Sequence, residues 1–218
     1  MKINLEILNN YIEEGLVNCQ KHPSLDLYIY NYTPECVFSR KWDEITLQCR
    51  GLILDGEGKV VGRPFSKFFN FDEPDVIIPN GIPQITSKVD GSLIIVIYYQ
   101  NQIVVATRGS FVSDQSQIAN SLLLKNYPLV EMIKSGENNF TWLFELVGPS
   151  NRIVLNYEKD DLILLTVVNN TDGREHNLDY YYRQYPLLKQ LKKDKLQELE
   201  EEEAFKDLVC KQLKLNKD

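Results

Sequence analysis

Two segments constrain this chain more than any others. In RGLILDGEGKVVGRPF (50–65) two short apolar runs flank Asp55-Gly56-Glu57-Gly58, and in SLIIVIYYQNQIVVATRGS (92–110) two longer runs flank Gln100-Asn101-Gln102. Apolar runs of strand length, interrupted by turn-forming residues, predict antiparallel hairpins. LDLYIYNYTP alternates and is closed by Pro34, while FTWLFELVG, RIVLNYE and DLILLTVVNN are three further runs, so each of these four predicts a strand. Helical signals are fewer. Ile3, Leu5, Leu8, Ile12 and Leu16 recur at helical spacing in the first twenty residues, and SDQSQIANSLLLKN predicts a second helix with Ser113 as N-cap. Many hairpin strands with a few helices predict an α+β fold built on antiparallel sheets. From Pro186 the chain is charged, glycine-free and helix-prone, so the expected division is a main domain over 1–185 and a helical tail over 186–218.

Composition excludes several classes. The longest apolar run, near LIIVIYY, is far shorter than the ~20 residues of a membrane helix. The start, MKINLEILNNYIEEG, carries acids and asparagines where a signal peptide needs an apolar core. The expectation is a cytoplasmic protein (host cytoplasm, if the AT-rich flavour of its Asn, Lys, Ile and Tyr content is viral) with no membrane partner. Cys19, Cys36, Cys49 and Cys210 form no CxxC pair, and His22 and His176 build no constellation with them, so no protein-held metal site is expected. The net charge is −7, and residues 186–218 balance eight Lys against eight Asp or Glu, so the acidic excess belongs to the body. Any nucleic-acid contact must therefore be local.

Within SKVDGS, Lys88 and Asp90-Gly91 stand between the apolar runs VIIPNGIPQIT and LIIVIYY. The hexapeptide reads equally as a turn with Asp-Gly in favoured positions and as a nucleophile site. A lysine amine can attack the α-phosphorus of a nucleoside triphosphate once nearby cations or burial favour its neutral form. Arg50, Lys67 and Arg108, each beside a strand signal, are the cations that could gather there.

SKVDGSL resembles motif I of the covalent nucleotidyltransferases, the superfamily of ATP-dependent ligases and capping enzymes. IYNYT (29–33), CRGLILD (49–55), GRPFSKFFN (62–70), TRGSF (107–111), FELVGPSNRIVL (144–155) and YEKDDLILLTV (157–167) are similar, in order and spacing, to the RNA ligase 1 family of T-even phages. The resemblance implies a ligase-like nucleotidyltransferase fold of antiparallel sheets with flanking helices. It implies ATP and Mg2+ (or Mn2+) as cofactors and RNA, in that family usually broken tRNA, as partner. It assigns Lys88 as the residue that takes AMP from ATP and Glu145 as the acid that meets the ribose or a divalent metal. Gly91 would let the nucleotide lie against the backbone. Tyr30, Arg50, Lys67, Phe69 and Arg108 match nucleotide-contacting positions, Arg108 standing where the family often has lysine. Asn151 and Arg152 belong to the signature without an assigned step. Motif IV (Glu-Gly-x-Val type) and motif V (Lys-x-Lys) are not visible, and the chain ends about where motif IV would begin. The expected fold is therefore incomplete, and three readings follow: a truncated ligase, a split one whose second chain supplies motifs IV and V, or a catalytically inactive nucleotide- or RNA-binding descendant.

Overall fold

Both hairpin signals close as antiparallel pairs in the computed structural model, which describes residues 2–70, 73, 74, 76, 88–136, 139–176, 178, 181 and 183. The chain divides into two units, Met1–Phe68 with Asp90–Leu178 and Phe69–Val89 with Asp179–Asp218.

The first unit holds two four-stranded antiparallel sheets. One is a meander of β1 (Val17–Lys21), β2 (Leu27–Tyr32), β3 (Arg50–Asp55) and β4 (Val60–Gly62). The other, from β5 (Ser92–Tyr99), β6 (Gln102–Thr107), β7 (Phe140–Val147) and β8 (Asp161–Asn169), has the order β6-β5-β7-β8. The β5–β6 turn is two residues long, with Gln100 and Asn101 both at positive φ (46° and 63°), as a type I′ hairpin requires.

Leu27, Ile29 and Ile53 from the first sheet and Ile95, Ile97, Val104, Ala106 and Leu143 from the second share one buried core between the sheets. Because strand side chains alternate, Ile94, Val96, Trp142 and Phe144 lie on the second sheet's other face. The helices α3 (Asp114–Leu124) and α4 (Tyr127–Ser135) pack on that sheet. The outer face of the first sheet is covered by α1 (Leu5–Glu13), with Leu8, Val17, Tyr30, Leu52 and Leu54 in a second core. A short α2 (Pro34–Ser39), capped by Thr33, links β2 to the loop before β3. The order α1, sheet, sheet, α3/α4 is an α+β architecture of antiparallel sheets with flanking helices, as the sequence predicts.

A buried polar bridge ties the sheets together. Thr141 Oγ1 accepts the Arg63 amide at 2.8 Å and donates to Asn170 Oδ1 at 2.6 Å, while Asn170 Nδ2 donates to the Val61 carbonyl at 3.0 Å.

Several elements differ from expectation. RIVLNYE (152–158) contains no strand; it is an irregular loop after a 3-10 turn at Pro149–Asn151. Its apolar residues are exposed, Val154 by 72 %, so they build no sheet face. The first helix stops at Glu13, and β1 follows with four exposed residues, an edge strand held by backbone pairing with β2. The helix α4 carries sequence signals of its own, an Asn126 cap and a Pro in its first turn. His22 packs on Phe111 and accepts the Ser24 and Leu25 amides on Nδ1, and His176 packs on Phe140.

In the second unit, Asn70 donates from its backbone and side-chain nitrogens to Glu73 Oε1 at 2.9 and 2.7 Å, and the Glu73 amide returns to the Asn70 carbonyl at 3.0 Å. Lys88 is exposed. The expected helical tail (186–218), with Cys210, and the VIIPNGIPQIT run (except Val76) lie outside the described residues.

Candidate functional site

The register of β3 on β2 passes from Tyr30↔Leu52 to Asn31↔Arg50, so Gly51 is an extra residue in β3. Gly51 sits at φ +95°, and a Cβ there would lie 2.7 Å from Ile95 Cδ1 and 3.2 Å from the Arg108 Cα. Only glycine combines that backbone with that closeness. The start of β3 can therefore meet the end of β6, and Arg50 and Arg108 come to the same end of the sandwich.

Aromatic side chains frame them. The Arg50 guanidinium lies 4.9 Å from the Phe68 ring centre and that of Arg108 lies 5.5 Å from Tyr32. Lys67 Nζ lies 5.7 Å from the ring of Trp42, which meets Tyr32 edge to face at 5.2 Å. Lys67 is anchored by its amide on the Leu47 carbonyl at 2.7 Å, and its Nζ donates to the Phe68 carbonyl at 2.5 Å.

The loop presenting Trp42 is held by Asp43. Its Oδ1 accepts the Ile45 and Thr46 amides at 2.9 and 2.8 Å, and its other oxygen accepts a short hydrogen bond from the Tyr11 hydroxyl on α1. Burial alone would raise the Asp43 carboxyl, but the Tyr11 and backbone hydrogen bonds outweigh it and hold the group below its ordinary value. The same bond, with burial and the Asp43 charge, pushes the Tyr11 phenol up to about 12.

Among the described residues the cluster brings together three cations, Arg50, Lys67 and Arg108, and the Glu145 carboxylate. Glu145 is half-buried on β7, opposite Leu93 of β5, and its charge reaches Arg50. Burial pushes the Arg50 guanidinium below its ordinary value; Tyr32 and Glu145 oppose that shift and Arg108 adds to it. Among the described residues, Arg50 Nη1 is buried with no hydrogen-bond partner, as is Asn31 Oδ1 on the neighbouring strand. A buried donor on a cation is costly to leave unpaired. An anion at this end of the sandwich would satisfy it.

Of the residues singled out from sequence, Arg50, Lys67, Arg108 and Glu145 fall in this cluster. Tyr30 does not: it is 5 % exposed in the core beneath α1, beside Cys19. Gly91 lies where β5 meets β7, and a Cβ there would penetrate the Leu146 carbonyl oxygen and sit 3.0 Å from Glu145 Cγ. Lys88 and Phe69 belong to the second unit. Sequence reasoning missed Tyr32, Trp42 and Phe68. Tyr32 stands two residues from Tyr30 in IYNYT, on β2, where strand register and its irregularity after Tyr30 are needed to tell them apart. Phe68 precedes Phe69 in KFFN, outside any strand, where no local pattern chooses between them.

The fold is that of the ATP-dependent ligases: an archaeal ATP-dependent RNA ligase structure superposes with a TM-score of 0.57 at 14% identity, covering 85% of this chain and 48% of that one. The chain belongs to the RNA ligase family, whose model matches residues 48–213. An RNA ligase of Rhodothermus phage RM378 is 27% identical over 184 residues, 65% of this chain and 41% of the relative. A Thermovibrio ammonificans relative is 30% identical over 132 residues, 58% of this chain and 35% of the relative. The chain thus spans less than half the length of these curated relatives.

Proposed function

We propose that this chain carries the adenylylation chemistry of an ATP-dependent RNA ligase, with Lys88 as nucleophile. The neutral Lys88 amine attacks the α-phosphorus of ATP, a P–N bond forms as the bond to pyrophosphate breaks, and the amine gives up a proton. AMP then passes to an RNA 5′-phosphate, and an RNA 3′-hydroxyl displaces it to seal the strand. The observation that carries this reading is the buried Arg50 Nη1, without a hydrogen-bond partner among the described residues, in a cluster with Lys67 and Arg108, in a chain of this family. Arg50, Lys67 and Arg108 suit the triphosphate, where negative charge builds on the bridging oxygen of the departing pyrophosphate.

Glu145 would contact the ribose or a divalent metal. Among the described residues no three His, Cys, Asp or Glu side chains gather to hold a metal ion. Mg2+ or Mn2+ would be held by the nucleotide phosphates together with one or two carboxylates, as these hard cations commonly are, which is the place this reading gives Glu145. RNA ends, including those of broken tRNA, are the partner this reading implies, and a second chain supplying motifs IV and V is compatible with it.

Incubation with α-labelled ATP and Mg2+ or Mn2+ tests the reading. Acid-labile label that disappears in Lys88→Ala is the expected result. ATP or RNA binding without label under either metal would instead identify a binding protein derived from a ligase. Label that requires an added downstream fragment would identify a split active site.

A further inference from the structure

The loop after β7 exposes three consecutive apolar side chains, Ile153, Val154 and Leu155, by 57, 72 and 52 %. Side-chain burial therefore does not hold it. Its backbone is held instead: the Val154 and Leu155 amides donate to Asp90 Oδ2 at 2.7 and 2.8 Å. Two adjacent amides converging on one carboxylate oxygen make strong, orientation-defining bonds.

Asn151 supplies a second tie. It is 9 % exposed, its Nδ2 donates to the Leu146 carbonyl at 2.8 Å, and its Oδ1 accepts the Ser92 hydroxyl at 3.0 Å. The Asp90 amide also donates to the Tyr157 hydroxyl at 3.4 Å. Residues 90 and 92 are thus clamped from one side by the 151–157 loop, and Gly91 between them is pressed against the Leu146 carbonyl.

We infer that Asn151 is a positioning residue, holding the chain segment that leads back to Lys88 in register with the end of β7. This rests on the adenylylation reading above. Lys88 is joined to Asp90 through one residue, so a fixed Asp90 leaves the Lys88 Cα no more than about 7 Å of reach. Misplacement of a nucleophile by about 1 Å can cost 100-fold in rate, so such an anchor acts on the chemical step without touching the nucleotide. Asn is needed because one side chain must both donate to Leu146 and accept from Ser92. Aspartate would turn an acceptor toward the Leu146 carbonyl.

The full chain is compared with Asn151→Ala, Asn151→Asp, Ser92→Ala and Ser92→Thr, by amide hydrogen exchange and by the rate of label transfer from ATP. In both Asn151 variants, exchange at Val154 and Leu155 should rise by at least about ten-fold while the central β5 and β7 amides keep their protection. The labelling rate at saturating ATP should fall at least about ten-fold, with the half-saturating ATP concentration within about two-fold of the original. Ser92→Ala should lose part of the rate and Ser92→Thr, which keeps the hydroxyl, should recover most of it. Unchanged exchange at Val154 and Leu155 overturns the inference. So does a half-saturating concentration that rises at constant maximal rate, the mark of a nucleotide contact. A wild-type chain that takes no label, alone or with an added downstream fragment carrying motifs IV and V, overturns the ligase reading and with it the catalytic purpose of the clamp, while exchange still decides whether Asn151 holds the segment.

Discussion

Arg50 carries an opposition between stability and function. Its guanidinium is half-buried, beside the Arg108 charge, with one nitrogen unpaired among the described residues. Exchanging such a group for an apolar side chain of similar length is often neutral or stabilising. Arg50→Met should leave the melting temperature unchanged or slightly raised, yet weaken ATP binding at least about ten-fold in a calorimetric titration. A loss of more than about 5 °C would mean that the guanidinium holds the fold rather than a ligand. Arg50→Lys keeps the charge but loses the planar fork, so it should restore only part of the affinity. Gly91 is constrained differently. Its lack of a side chain is demanded by the Leu146 carbonyl and Glu145, so the space is already needed for β5 to reach β7.

Among the elements, the β5–β6 turn is not optimal for its own geometry. Gln100 and Asn101 occupy the left-handed region that a type I′ turn requires, and Gln is a poor occupant. Replacing the pair by Asn-Gly should stabilise the chain by about 1 kcal/mol, read as a shift in the denaturant midpoint at constant slope. The Tyr11–Asp43 contact ties α1 to the Trp42 loop and should make that loop pH-sensitive. The folded Asp43 carboxyl titrates below its ordinary value, so its contribution is complete above the unfolded value near 3.8 and is lost as pH falls through the folded one. Tyr11→Phe removes part of that depression and should move the acid transition of Trp42 fluorescence to higher pH. At the alkaline end, the contribution of Tyr11 is complete below its ordinary 10.0 and is lost as pH rises through the folded value of about 12.

Across the whole molecule, a chain of net charge −7 presents a local cluster of three cations. RNA binding through that cluster alone should be weak, with log affinity falling against log salt with a slope of about −2, as neutralising about three single-strand phosphates implies. A steeper slope would place further phosphate contacts elsewhere on the chain. The Thr141–Asn170 bridge acts at the same scale, because it satisfies buried groups of both sheets at once. Thr141→Val takes the Thr141 partner from the Arg63 amide and from Asn170 Oδ1, and should cost about 1–3 kcal/mol in denaturant unfolding.

The hairpins, the Ser113 cap and the antiparallel α+β class were legible because turn chemistry and strand patterning are local. So was the family, since the RPxxKFFN and NRIV segments are strings. The edge strand β1 was hidden because its exposed side chains carry no pattern, only backbone pairing. RIVLNYE misled for the opposite reason: its apolar pattern serves a loop pinned by Asp90, not a sheet face. The sequence by itself thus determined the class of fold, the family and the candidate cations. Which tyrosine faces those cations, Tyr32 or Tyr30, was decided only in three dimensions. The inserted Gly51 shifts the register of β3 and brings Arg50 against Arg108, and only paired strands define a register.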